Sequence, residues 1–168
     1  MKRVNAVFIL LITAIFLTAC GGPSFTEESK TTIKTVKTTL EEKAKKPNKK
    51  SGDIHFYLPF GYEINETAPN NIILKNGSKT YILFVNPQEK ADSEVVYNST
   101  IDQYNKLDIN EKFINNQKLG FLTIKQLEDN MNEVTVGIGG VKLTSQVKTS
   151  NLDTEAKVMM QIAKSIQQ

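Results

Sequence analysis

An α+β domain, an antiparallel β-sheet built from hairpins with two helices packed on it, is the fold class this sequence predicts, on three observations. Apolar and polar residues alternate in short runs from Ile54 onward. Two pairs of those runs are joined by tight glycine turns, Asn76-Gly77 and Gly139-Gly140. The chain then closes on a stripe of helical spacing, which gives a hairpin sheet something to bury against.

In chain order, Ile54, Phe56 and Leu58 alternate with His55 and Tyr57 as a half-buried strand does, until Pro59 and Gly61 break it. "NIILK" and "KTYILFV" flank Asn76-Gly77-Ser78 and predict a hairpin. From Asp92 to Asn105 the recurrence of Val96 or Tyr97, Ile101 and Tyr104 predicts a helix, with Asp92 or Ser93 as its N-cap. "EKFINN", "LGFLTIKQLE" and "EVTVGI" predict three strands, and the last returns through Val141, Leu143 and Val147. From Leu152 to Ile166, Ala156, Met159, Ile162, Ala163 and Ile166 form one apolar face, with Asp153 and Glu155 at the positive end of the helix.

The chain begins with Lys2 and Arg3, followed by an apolar run from Ala6 to Leu17 broken only by Thr13. This is the order of a secretory signal, and its dozen residues fall short of the roughly 20 that a spanning helix needs. Leu17-Thr18-Ala19-Cys20, with Gly21 after it, resembles the lipobox of bacterial lipoproteins. The resemblance implies cleavage between Ala19 and Cys20 and a diacylglyceryl group on the Cys20 sulfur, the most nucleophilic ordinary side-chain atom near neutral pH. Two acyl chains hold a protein to a membrane where one binds only reversibly. The expected location is therefore the extracytoplasmic face of a cell membrane, lipid-anchored. Cys20 is the only cysteine, so the exported domain is expected to fold without disulfides.

The expected division is a cleaved signal over 1–19, a lipidated cysteine and flexible tether over 20–52, and a globular domain over 53–168. Residues 21–52 are rich in Lys, Thr, Glu and Ser, a composition that buries too little to offset ordering entropy. Ile33, Val36 and Leu40 stand at helical spacing there, but threonines at 31, 32, 35, 38 and 39 lower helix propensity, and Pro47 stops any helix. Charge also divides: residues 21–52 carry eight lysines against four glutamates, and residues 53–168 eleven lysines against fourteen acidic residues. An acidic domain without basic, aromatic-rich stretches points away from nucleic acid.

A first strand ending in "LPFGYEI", a hairpin, a helix, a meander through "GFLTI" and "VGIGGVKL", and a last helix ending "IAKSI" resemble the PsbP/Mog1-like fold. That fold serves several unrelated roles, so the resemblance implies architecture and no activity.

No catalytic constellation is visible. His55 is the only histidine, which leaves Ser-His, Cys-His and Cys/His zinc chemistry without material. Glu128, Asp129 and Glu133 cluster around Met131, and Asp102, Asp108 and Glu111 lie close in sequence, but neither group has the order of a calcium loop. They read as solvated turn carboxylates. Gly137 to Gly140 lacks phosphate-loop spacing and reads as a turn. Tyr57, Phe60 and Tyr62 flank the Pro/Gly turn as a candidate aromatic binding rim, with Phe60 inclined toward the core. The expectation is a non-enzymatic envelope module, without metal or cofactor, that binds a protein or polymer. The alternative is a small-molecule or metal binder using a cleft between sheet and helix.

Overall fold

The computed structural model describes residues 23–167; Ala19, Cys20 and the rest of the lipobox lie outside them. Its core is a seven-stranded, wholly antiparallel sheet, formed by β3 (Glu63–Ala68), β4 (Asn71–Asn76), β5 (Lys79–Val85), β6 (Ile109–Asn115), β7 (Lys118–Gln126), β8 (Met131–Ile138) and β9 (Val141–Lys148). The strand order is β3-β4-β5-β9-β8-β7-β6, so two meanders meet where β5 pairs with β9. A two-stranded ribbon, β1 (Lys49–Ser51) with β2 (Ile54–Phe56), stands apart and is tied by a His55–Gln167 bridge to the end of the chain. The described helices are α1 (Phe25–Glu41), α2 (Val95–Ile101) and α3 (Leu152–Lys164), one more than the sequence predicts.

Both predicted hairpins are present, turning at Asn76-Gly77 and at Gly139-Gly140. Gly139 has φ +50°, and a Cβ on it would lie 2.3 Å from the Lys90 carbonyl oxygen. Turn geometry and the 86–91 loop packed beneath therefore explain this glycine. The strands "EKFINN", "LGFLTIKQLE" and "EVTVGI" appear as β6, β7 and β8. The middle helix is shorter than predicted, because its cap is Glu94 and it closes at Asp102. Strand β3 is absent from the sequence reading. "EINETA" has too little alternation to announce itself, and it pairs with β4 through a bulge between Ile64 and Glu66.

The principal correction concerns the flexible tether. Residues 25–41 form α1, which opens on a capping box: Ser24 Oγ accepts from Glu27 N while Glu27 reaches back to the Ser24 backbone. Ser29, Thr32, Val36, Thr39 and Leu40 are buried, and Phe25 and Ile33 pack against the core. The buried hydroxyls turn back on their own helix, Thr32 Oγ1 donating to the Glu28 carbonyl and Thr39 Oγ1 to the Thr35 carbonyl, each at 2.7 Å. Their methyl groups are thereby left to pack. The buried stripe is thus wider than its aliphatic members suggest.

Helices α1 and α3 lie side by side on one sheet face. Their starts meet where Pro23, Ser24 and Phe25 approach Thr149 and Ser150. Their ends meet where Lys164 Nζ donates to the carbonyls of Thr39, at 3.0 Å, and Leu40, at 2.6 Å. This cation occupies the place that a basic residue in the last turn of α1 would take. Beneath the helices, Leu83, Leu143, Val136 and Leu122 form one row and Tyr81, Val134 and Ile124 a second. Gly120 clears room for Leu40, whose Cδ2 would lie 2.5 Å from a Cβ.

Candidate ligand groove on the open sheet face

Alternation sends the other residues of the same strands to the opposite face. Of the described helices α2 alone lies on it, and covers it only in part. Val96 and Tyr97 pack on Leu119 and Phe121, with Phe84 and Ile101 beside them. Tyr97 donates its hydroxyl to Asn110 Oδ1 at 3.0 Å and carries Lys112 Nζ 5.1 Å from its ring centroid.

Beside α2 this face opens into a groove. Two hollows of about 470 and about 630 Å³ share Ile82, Glu133 and Thr144, each within the roughly 300–1,000 Å³ of small-molecule sites. The floor is Ile82 and Phe84 of β5, followed by Thr144 of β9 and Thr135 of β8. The two threonine hydroxyls bond one another at 2.8 Å. On opposite sides of that pair, along antiparallel strands, stand Lys142 and Glu133.

Lys142 Nζ donates to Thr100 Oγ1 at 3.2 Å, and Thr100 Oγ1 in turn donates to the Val96 carbonyl at 2.7 Å. Desolvation under α2 pulls the ammonium below its usual pKa, against a smaller upward pull from the Glu133 charge. No ion pair to Lys142 occurs among the described residues. Glu133 accepts a hydrogen bond from the Tyr104 hydroxyl. Burial first, and this carboxylate second, hold Tyr104 neutral well above the normal tyrosine range. The groove therefore presents an ammonium at one end, a carboxylate with a phenol at the other, and a hydroxyl pair over an apolar floor between them. It can orient a small polar ligand with an anionic head at Lys142.

Of the predicted rim, Phe60 is fully exposed at 106%, which corrects its inclination toward the core. Tyr62 instead packs inward, its ring 5.2 Å from that of Tyr81 and its hydroxyl 3.3 Å from the Tyr81 oxygen. Tyr57 is half-buried, and its backbone N–H donates to Ser165 Oγ at 2.7 Å. The three residues thus form no common exposed ring. His55 is exposed, on the side of β2 opposite Phe56.

Among the described residues no group of three or more His, Cys, Asp or Glu side chains is placed to hold a metal ion. Asp108 Oδ2 is occupied by Gln126 N at 2.8 Å and Lys125 Nζ at 3.4 Å. Asp129 sits in the β7–β8 turn with φ +56°. The groove residues Lys142, Thr144, Thr135 and Thr100 escaped sequence reasoning, since polar positions in alternating strands look like ordinary solvent-facing residues. The available signal was a sheet of central strands with one polar face and too little helix to cover it. In comparison with known proteins, the chain matches no family model and no curated protein.

Proposed function

We propose that this chain is a lipid-anchored protein of the extracytoplasmic face of a cell membrane, a non-enzymatic binding module whose ligand seat is the groove on the open sheet face. The ligand class is a small polar molecule carrying a carboxylate or phosphate. The observation that carries the reading is the half-buried Lys142 ammonium, which lines a hollow of about 470 Å³ and is bonded there to the Thr100 hydroxyl. A desolvated cation beside a cavity is arranged for an incoming anion.

Anchoring rests on the Leu17-Thr18-Ala19-Cys20 sequence, and membership of the PsbP/Mog1-like fold on element order and the Leu58-Pro59-Phe60-Gly61-Tyr62 turn. Thermal unfolding of the full chain against a panel of small carboxylates and phosphates tests the seat. A ligand at 100 times its Kd adds about 2.7 kcal/mol, and Lys142→Met should abolish that gain. A panel that leaves the wild-type protein unshifted, or a gain kept by Lys142→Met, overturns the assignment. Cys20→Ala tests the anchor separately, because it should leave an unprocessed precursor without the added mass of two acyl chains.

The exposed ring of Phe60 supports a second reading, in which the Pro59-Gly61 turn contacts a protein of the envelope. In-cell crosslinking with wild-type and Phe60→Ser proteins should then give a partner that the variant loses.

A further inference from the structure

The end of the molecule where α1 and α3 finish carries a second, separate concentration of charge. The chain leaves α1 at Glu42 and runs as an exposed segment bearing Lys43, Lys45 and Lys46, then enters the ribbon through Lys49 and Lys50. Asn48 pins this run, its Oδ1 accepting from Leu58 N at 2.8 Å and its Nδ2 donating to the Leu58 carbonyl at 3.0 Å. The ribbon is fastened in turn to Gln167, just beyond α3.

At the same end Lys118 and Lys164 line a hollow of about 140 Å³ with Glu89 and Gly140. Burial, and then repulsion from Lys118, lower the Lys164 pKa, against a smaller upward pull from the Glu42 charge. Glu89, the carboxylate of this hollow, is already engaged by the Ser93 hydroxyl. The other acidic groups here are Glu41, Glu42 and, in the turn of the ribbon, Asp53, and no described lysine of this end forms an ion pair. The lysines of this end therefore outnumber its carboxylates and are held together without a direct ion pair among the described residues.

From this we infer a binding surface for a linear polyanion, a polymer of phosphate groups, along Lys43–Lys50 and across Lys118. Lysines on an extended run are point charges at short repeat, which suit a phosphate chain. An acidic protein is the poorer fit, because lysine is depleted at protein interface cores and no exposed aromatic or Arg anchor stands among these residues. The surface is distinct from the groove, and neither assignment depends on the other.

The test is binding of long-chain inorganic polyphosphate to the full chain in detergent, at about 50 and about 200 mM salt, with poly-L-glutamate as comparison. The variant carries Lys43→Gln, Lys45→Gln, Lys46→Gln and Lys118→Gln, all at exposed positions. The control carries Lys30→Gln, Lys34→Gln and Lys37→Gln on the outer side of α1. Wild type and control should bind polyphosphate and weaken steeply with salt. The variant should lose at least about a hundredfold at the lower salt. The proposal is overturned if wild type does not bind polyphosphate, if the variant binds like the control, or if poly-L-glutamate binds as tightly as polyphosphate. The last result would reassign the surface to an acidic protein.

Discussion

Tyr81 donates its hydroxyl to Glu155 Oε2 at 2.8 Å, across the interface between the sheet and α3. Lys79 meets the other oxygen of the same carboxylate, so the buried Glu155 is bonded on both sides. Burial first, and the bonds to Tyr62 and Glu155 next, raise the Tyr81 pKa far above the normal tyrosine value. A raised folded-state pKa contributes stability that is fully present below the unfolded value, about 10, and is lost as pH climbs toward the folded value. Unfolding free energy should therefore fall with rising pH above about 10. Tyr81→Phe should flatten that limb and cost about 1–3 kcal/mol at neutral pH, through an acceptor left short of a donor. Denaturant titrations at several alkaline pH values check both effects.

Asp108 gives the opposite sign at the acid end. Its bond from Gln126 N, and then the nearby Lys125, lower its pKa. A lowered carboxylate contributes stability above the unfolded value of about 3.9 that disappears as pH falls through the folded one. Asp108→Asn should reduce the slope of stability against pH below about 4, as read by urea melts.

Leu40→Ala distinguishes a folded α1 from a loose tether. Leu40 is 2% exposed and fills the space above Gly120, so its truncation should cost about 2–5 kcal/mol. Lys37→Ala on the exposed side of the same helix should stay within about 0.5 kcal/mol. Chemical denaturation of both variants decides, and equal, negligible effects would restore the tether.

Two turn glycines separate strain from crowding. Gly77 has φ +59° with open space around its Cβ position, whereas Gly139 has φ +50° with backbone atoms of Lys90 and Ala91 within 2.7 Å. Gly77→Ala should cost about 1 kcal/mol through conformation alone. Gly139→Ala should cost clearly more, because the 86–91 loop must move. Thermal melts of the two variants give the comparison.

Strands with clean alternation and glycine turns were legible from residues alone, as in β4–β5 and β8–β9. So was α3, whose apolar stripe is aliphatic throughout. Helix α1 was not, because three of its five buried residues are Ser29, Thr32 and Thr39, which a hydropathy reading scores as solvent-loving. Their hydroxyls are satisfied within the helix, and that depends on geometry invisible to composition. Strand β3 was hidden for a related reason: at the sheet edge, most of "EINETA" is exposed. The residues of the groove were not legible either. Lys142 and Glu133 come to flank the Thr135–Thr144 pair only through the β8–β9 register.

The parallel setting of α1 against α3 also determines how the fold answers a mechanical load. Tension arriving through the chain before Pro23 enters at the start of α1 and, when directed along the helix axis, acts in shear over its whole contact with α3. Such a joint yields abruptly instead of fraying turn by turn. Once it yields, the 17 residues of α1 lengthen from about 1.5 to about 3.4 Å each, releasing about 30 Å of slack.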